Sequence, residues 1–169
     1  MKELLDKLSS YNIFNYLLPG VIFSVLAEHL TRFKFIPDDI LVAVFVFYFI
    51  GQIVSRIGSL VIEPVLRKIS FVKFADYPDY VKASKKDTLI ETLSEVNNSY
   101  RTYTSLFLLL IIFKAYALLA AVYSPLESAA PYVLILGLLV LFLFAYRKQT
   151  EYVAKRVART IKEMKDQES

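Results

Sequence analysis

The sequence predicts an all-α integral membrane protein with four transmembrane helices. Three observations predict this class: 56% of the 169 residues are hydrophobic, the mean hydropathy is +0.48, and only 21% are charged. A soluble domain is usually about 45–50% apolar, so the excess indicates helices that lie in lipid. The apolar residues form four stretches of roughly 20 residues each, the length at which a helix crosses about 30 Å of hydrocarbon.

The four apolar stretches form two pairs along the chain. Residues 13–30 and 40–57 make the first pair of predicted spans, and residues 103–123 and 129–146 make the second. The first stretch does not end in the small-residue pattern of a cleavage site. We therefore expect it to be a retained membrane helix rather than a signal peptide.

Lysine and arginine residues determine the predicted orientation. Of the 20 such residues, eight lie within 55–101 and seven follow Tyr146, whereas the connection 124–128 has none. Connections on the cytoplasmic side of a membrane carry an excess of these residues. We therefore expect the two termini and the central segment to be cytoplasmic.

This orientation divides the chain into four parts. Residues 1–57 hold an amphipathic stretch and two spans, 58–101 a cytoplasmic basic helical segment, 102–146 the other two spans, and 147–169 a cytoplasmic C-terminal helix. Helices 3 and 4 are expected to extend into a cytoplasmic stalk. Two apolar stripes on these extensions are expected to pack together, within one subunit or between subunits. The stripes consist of Leu89, Leu93, Val96 and Tyr100, and of Val153, Val157, Ile161 and Met164.

Local signals predict the course of the basic segment. Residues 60–69 continue the second span as a helix, and Pro64 kinks it. The Tyr-Pro-Asp sequence at 77–79 predicts a turn. A serine and an aspartate at the two ends of 84–87 have the spacing of a capping box, which predicts that the next helix starts there.

Cations and aromatic rings alternate in the basic segment. Cations neutralise phosphates and rings stack on bases, so the combination suits a nucleotide or oligodeoxynucleotide. Anionic lipid headgroups are the alternative, and the residue types alone favour them. In a symmetric oligomer the cations would form a positive ring, which favours a soluble anionic ligand. The phosphate-binding candidates are Arg67, Lys68, Lys73, Lys82, Lys85 and Lys86, and the stacking candidates are Phe71, Phe74, Tyr77 and Tyr80.

Polar and helix-breaking residues inside the spans are the candidates for a pore or gate. A lysine within a span costs about 2.5–3.5 kcal/mol at the bilayer centre, so it faces water or a partner such as Glu28, or its stem snorkels to the interface. A Pro-Gly pair is either a gating hinge or a static kink, and amides either line a pore or join helices. The candidates are Asn15, Pro19, Gly20, Gln52 and Lys114.

The composition argues against catalysis and against a resident cofactor. The chain has no Cys and a single His, which excludes thiolate zinc sites and multi-histidine metal sites within one subunit. It has no glycine-rich phosphate loop, and no nucleophile, base and acid can be assembled at known spacing. We therefore expect no enzyme activity, no metal and no cofactor.

The size, the four spans and the basic aromatic segment 67–86 resemble those of small multi-span effectors of bacterial antiphage systems. Examples are the transmembrane effectors of Pycsar, the oligodeoxyadenylate-controlled Hailong channel and the membrane subunit of Kiwa. The resemblance covers the whole architecture. It implies an oligomeric pore that depolarises the inner membrane when its regulatory ligand changes.

Three functions follow as hypotheses. The first is a homo-oligomeric ion channel controlled by a nucleotide or oligonucleotide. Several copies are needed because one four-span subunit encloses little space, and a tetramer is the preferred assembly. The second is a membrane scaffold that recruits a cytoplasmic partner protein through the apolar stripes. The third is a small transporter, which would have a lateral cavity between its spans.

Overall fold

A computed structural model describes residues 13–168, and over this range the chain is helical without strands. The α-helices are α1 (Leu18–Leu30), α2 (Ile40–Ile57), α3 (Glu63–Lys68), α4 (Tyr77–Ser84), α5 (Leu89–Val122) and α6 (Ser124–Glu168). Two π-turns accompany them: the first, Ile13–Leu17, leads into α1, and the second, Gly58–Ile62, joins α2 to α3. The predicted amphipathic stretch before the first span lies outside the described residues.

Three helices are long and apolar enough to cross a membrane. They are the continuous helix Ile40–Lys68, with 29 residues, α5 with 34 residues, and the 39 residues Ser124–Lys162 of α6. The predicted all-α membrane class is therefore confirmed. The first predicted span is helical from Ile13 to Leu30, and its crossing of the membrane stays a prediction.

The chain divides after Ser128 into two units. In the first unit, α1 and α2 run antiparallel and α5 packs against both. Their shared core consists of Phe23, Ala27, Val54, Leu106 and Leu110. The second unit is the remainder of α6, and most of its large apolar side chains are exposed, as expected of a helix surface that contacts lipid or another copy.

Two glycines allow α1 and α2 to approach each other closely. A Cβ atom added to Gly20 would lie 1.7 Å from the carbonyl oxygen of Phe47, and one added to Gly51 would lie 1.8 Å from that of Tyr16. Such backbone contact is the usual way in which membrane helices gain dispersion energy, because lipid supplies no hydrophobic drive between them. Each glycine therefore fills a position that no larger residue fits.

The second span continues beyond Ile57, as the sequence predicts. The second π-turn precedes Pro64, and the amide of Glu63 donates to the carbonyl oxygen of Gly58, five residues earlier. Proline lacks an amide hydrogen and clashes with the carbonyl of the preceding turn, and the wider π-turn is one way for a helix to accommodate it. The helix then ends at Lys68.

Three local predictions are wrong. Residues 77–79 do not form a turn but begin α4, because proline is well tolerated in the first turn of a helix. The 84–87 sequence is not the capping box of α5, which begins at Leu89 after Asp87 accepts a hydrogen bond from the Leu89 amide. The connection 124–128 is the first part of α6 rather than a loop, and only Tyr123 separates the two long helices.

Candidate functional site

The cations of the predicted ligand site lie on one short stretch of chain that joins two membrane-length helices. Arg67 and Lys68 end α3, Lys73 lies in the connection 69–76, Lys82 is on α4, and the other two follow α4. All six are exposed, as are Phe71, Phe74 and Tyr77, whereas Tyr80 is half-buried. We call these ten residues the basic surface. Their exposure leaves the phosphate-binding candidates accessible from water.

Two members of the basic surface contact each other. The guanidinium carbon of Arg67 lies 5.2 Å from the centre of the Phe74 ring, within the range of a cation–π interaction. This contact folds the connection back onto the end of α3. One cation and one ring of the basic surface are thus paired with each other.

The end of α3 has an unusual residue in a standard motif. The amide of Phe71 donates to the carbonyl oxygen of Leu66, and the amide of Ser70 donates to that of Arg67. This is the Schellman pattern, which needs a left-handed residue at the position of Ser70. Ser70 has a φ of 59°, a conformation that glycine adopts without cost. The motif fixes the direction in which the basic connection leaves α3.

Part of the basic surface lies on α4, which packs against α5. Val81, at the centre of α4, is buried in a helix whose other residues are exposed or half-buried. α4 lies against α5, which is one of the membrane-length helices.

An ion pair links the two helices on either side of the basic surface. Arg101 of α5 donates to Glu63 at the start of α3, and their side chains are only 22% and 13% exposed. Directly beside this pair, a Cβ atom on Gly58 would lie 3.2 Å from the carbonyl oxygen of Arg101. The second π-turn is therefore held tightly against α5 at the level where the basic surface begins.

The predicted pore or gate residues are mostly inside the subunit. Asn15 is buried and accepts a hydrogen bond of 2.9 Å from Ser99 of α5. Pro19 and Gly20 are buried in a continuous helix, and Gln52 is half-buried. The amide and the Pro-Gly pair thus take part in helix packing.

Lys114 is exposed, and its ammonium group donates to the carbonyl oxygen of Leu30 at a distance of 2.7 Å. Leu30 is the last residue of α1, so its carbonyl has no partner within the helix and carries the negative end of the helix dipole. Of the alternatives considered for Lys114, a pairing with Glu28 is not the one that the structure has. Glu28 accepts instead from the amides of Phe35 and Ile36, each at 3.0 Å.

The connection between α1 and α2 contains a feature that the sequence did not reveal. Phe23, Phe35 and Phe113 contact one another edge-to-face, with ring centres 5.5–5.8 Å apart. Phe33 lies beside Tyr116, which donates to the carbonyl oxygen of Leu126. These rings hold the connection over the end of the three-helix core. In the sequence, the two rings on either side of Lys34, Phe33 and Phe35, were the feature from which this cluster could have been predicted.

No known protein family, curated protein or solved structure matches this chain. The class that the fold defines is a helical membrane protein with an exposed basic surface between two of its membrane-length helices.

Proposed function

We propose that this chain is the subunit of a homo-oligomeric membrane channel controlled by a phosphate-bearing ligand, a nucleotide or oligonucleotide, at the basic surface. The observation that carries this proposal is the Arg101–Glu63 ion pair. It joins α3, at which the basic surface begins, to α5, which follows the basic surface in the chain. A ligand that draws the cations together therefore acts on both membrane-length helices.

The proposed topology has four crossings of a bacterial inner membrane. Both ends of the chain and the basic surface lie on its cytoplasmic side. The segregation of lysine and arginine supports this orientation. The helix at 13–30 has 18 residues, or about 27 Å at 1.5 Å per residue, which is close to the hydrocarbon thickness.

The gating step is a difference in ligand affinity between two arrangements of the helices. A ligand shifts a conformational equilibrium only by its differential affinity for the two states. Six cations near one helix junction repel one another, and a polyphosphate relieves that repulsion. The second π-turn is the natural point of adjustment, because π-turns often occur at functional sites and can return to α-helical geometry.

Copies of the chain are needed to form a conducting path. The most apolar windows of the three membrane-length helices are only 17%, 22% and 6% buried, which leaves wide faces for lipid and neighbouring copies. Gln52 and Lys114 are the pore candidates whose side chains are not buried. The resemblance to antiphage effectors suggests membrane depolarisation as the outcome, with a tetramer as the preferred assembly.

Ion flux from proteoliposomes tests the proposal. We expect potassium flux from phosphatidylcholine vesicles to change at least tenfold on adding a cyclic nucleotide or oligodeoxyadenylate. The triple variant Lys73→Gln, Lys82→Gln, Lys86→Gln should lose this response, whereas Lys155→Gln with Lys162→Gln, which neutralises exposed cations of α6, should keep it. No flux under any condition would eliminate the channel. Flux that follows only the phosphatidylglycerol content would assign the basic surface to lipid headgroups.

A membrane scaffold is the second candidate function. The observation that favours it is the second apolar stripe on α6, where Val153, Val157, Ile161 and Met164 are exposed at helical spacing. A cytoplasmic partner protein would cover this stripe. Stable co-purification of such a partner with the wild-type chain, lost in Val157→Glu, together with an absence of flux, would favour this candidate over the channel.

A further inference from the structure

One side of α5 presents a regular row of exposed residues along the whole helix. Its positions follow intervals of four, three and four residues, and this 11-residue pattern occurs three times between Leu89 and Val122. Eleven residues make three turns of a straight α-helix plus about 20°, so the row stays on one side. We call the row the α5 face. Its ten members are all exposed, and they are Leu89, Leu93, Val96, Tyr100, Thr104, Phe107, Ile111, Ala115, Leu118 and Val122.

The α5 face extends from water into lipid. α5 has 34 residues, or about 51 Å at 1.5 Å per residue, whereas the hydrocarbon of a bilayer is about 30 Å thick. Exposed Glu91 and Glu95 lie on the turns before Tyr100, which indicates that this end of the helix is in water. Apolar side chains need no cover in lipid, but Leu93 and its neighbours on the face require one in water.

The distribution of charge at the water end fits a second copy of the same helix as this cover. The α5 face is flanked there by the uncharged Thr92 and Asn97, and Glu91 and Glu95 lie on the other side of the helix. When two identical helices pair in parallel, each residue near the contact meets its own equivalent, so a charge there would meet a like charge. The neutral flanks therefore allow the face to pair with itself.

The membrane-length part of the α5 face also suits a contact between helices. Thr104 and Ala115 occupy equivalent positions of the 11-residue pattern, and small residues let two membrane helices approach closely. The Thr104 hydroxyl donates to the carbonyl oxygen of Tyr100 at 2.9 Å, so it brings no unpaired donor into the contact. Lys114 lies at the edge of the face, and its ammonium group is directed to the carbonyl oxygen of Leu30.

We propose that the α5 face is the contact between copies of this chain, with two α5 helices parallel and in register. Copies inserted in one orientation are related by an axis along the membrane normal, which makes their equivalent helices parallel. Leu93 then packs against Leu93 of the neighbouring copy. A soluble partner would cover only the water end of the face, whereas a second copy covers its whole length. The inference rests on the homo-oligomer of the proposed function and assigns the helix face that builds it.

Disulfide formation between copies of the full-length protein tests the proposal, because the natural chain has no cysteine. The test variants are Leu93→Cys at the water end and Leu118→Cys in the membrane-length part. The control for the first is Glu95→Cys, about 200° around α5. The control for the second is Leu119→Cys, about 100° around α5, because Leu118 and Leu119 are 58% and 60% exposed. We expect oxidation in lipid-rich vesicles to give covalent dimer at least fivefold faster in each test variant than in its control.

The molecular mass in mild detergent guards against a cysteine that distorts the contact. Leu93→Glu with Val96→Glu puts carboxylates on both sides of the contact, and light scattering should report at least a twofold loss of mass. Both side chains are exposed within the subunit, so the helical circular dichroism should be retained. Glu91→Lys with Glu95→Lys changes the charge on the other side of the same turns and should leave the mass unchanged.

The disulfide forms without ligand, so its rate is measured whether or not the vesicles conduct ions. Equal rates in test and control, Leu93→Cys that is shielded from a soluble maleimide without forming a dimer, or a mass that ignores the glutamates would each overturn the proposal. Fast disulfides without flux would refute the channel alone. Ligand-controlled flux without them would refute the α5 contact alone.

Discussion

The ammonium group of Lys114 donates a hydrogen bond of 2.7 Å to the carbonyl oxygen of Leu30, 84 residues earlier in the chain. This contact caps the C-terminal end of α1 with a positive charge. It assigns Lys114 a packing role that the sequence did not indicate. It also marks the level in α5 at which α1 ends.

Replacing Lys114 should therefore affect stability. Lys114→Met removes a charge-assisted hydrogen bond and leaves a helix carbonyl without its partner. We expect a loss of about 1 kcal/mol, discounted because the site is exposed. Thermal unfolding in detergent, followed by circular dichroism, measures this loss, and Lys114→Arg should retain most of the stability. A Lys114→Met protein that unfolds like the wild type would contradict the capping role.

The glycine contact between α1 and α2 predicts a stronger effect. Gly51→Ala puts a methyl group into the backbone of Tyr16, so the helices must separate, and we expect a loss of about 3 kcal/mol or failure to accumulate. Gly137→Ala is the matched control, because an added Cβ there meets no described atom within 4 Å. Alanine is the better helix former, so the control should be unchanged or stabilised by up to about 1 kcal/mol. Equal stability of the two variants would disprove the close approach.

The ion pair at the base of the basic surface predicts a non-additive pair of mutations. Glu63→Gln leaves the mostly buried Arg101 charge uncompensated, and we expect a loss of about 2 kcal/mol. The exchanged pair Glu63→Arg with Arg101→Glu should recover part of that loss. For comparison, Glu151→Gln breaks the exposed pair with Arg147 on α6, and its effect should stay below about 0.5 kcal/mol. Chemical unfolding of the wild type, Glu63→Arg, Arg101→Glu and the exchanged pair measures the coupling, and strict additivity of the two single changes would refute it.

The left-handed residue at the end of α3 predicts a stabilising mutation. Ser70→Gly should gain about 1 kcal/mol, because glycine adopts a φ of 59° without the Cβ clash that serine has. Ser70→Val should lose stability for the same reason. Limited proteolysis of the connection 69–76 reports the change locally, and slower cleavage of Ser70→Gly is expected. Faster cleavage of that variant would exclude the Schellman end.

The long helices could be predicted from sequence because their signals are local. No proline or glycine interrupts 89–122, and the apolar stripe before Tyr100 already has helical spacing. The turn predicted at 77–79 failed because Pro is equally compatible with the first turn of a helix. Residues 124–128 begin with Ser-Pro, which is compatible with a loop and with the first turn of a helix. They were predicted as a loop for that reason.

The partners of the polar residues could not be predicted from local patterns. Lys114 meets a main-chain carbonyl, and main-chain atoms leave no signature in a sequence. Gly20 was a candidate in the sequence because it follows a proline. Gly51, which takes part in the same helix contact, has no distinctive neighbour in the sequence. Ser70 replaces the glycine that usually marks a left-handed helix end, so its conformation had no sequence signal.

The proposed function requires the basic surface to lie in the cytoplasm, on the other side of the membrane from the connection between α1 and α2. Single cysteines at Lys85 and Lys34 test it most directly, with a membrane-impermeant maleimide applied to intact cells and to permeabilised cells. We expect Lys34→Cys to be labelled in intact cells and Lys85→Cys only after permeabilisation. Labelling of Lys85→Cys in intact cells would put the basic surface out of reach of intracellular nucleotides and would contradict the proposed function.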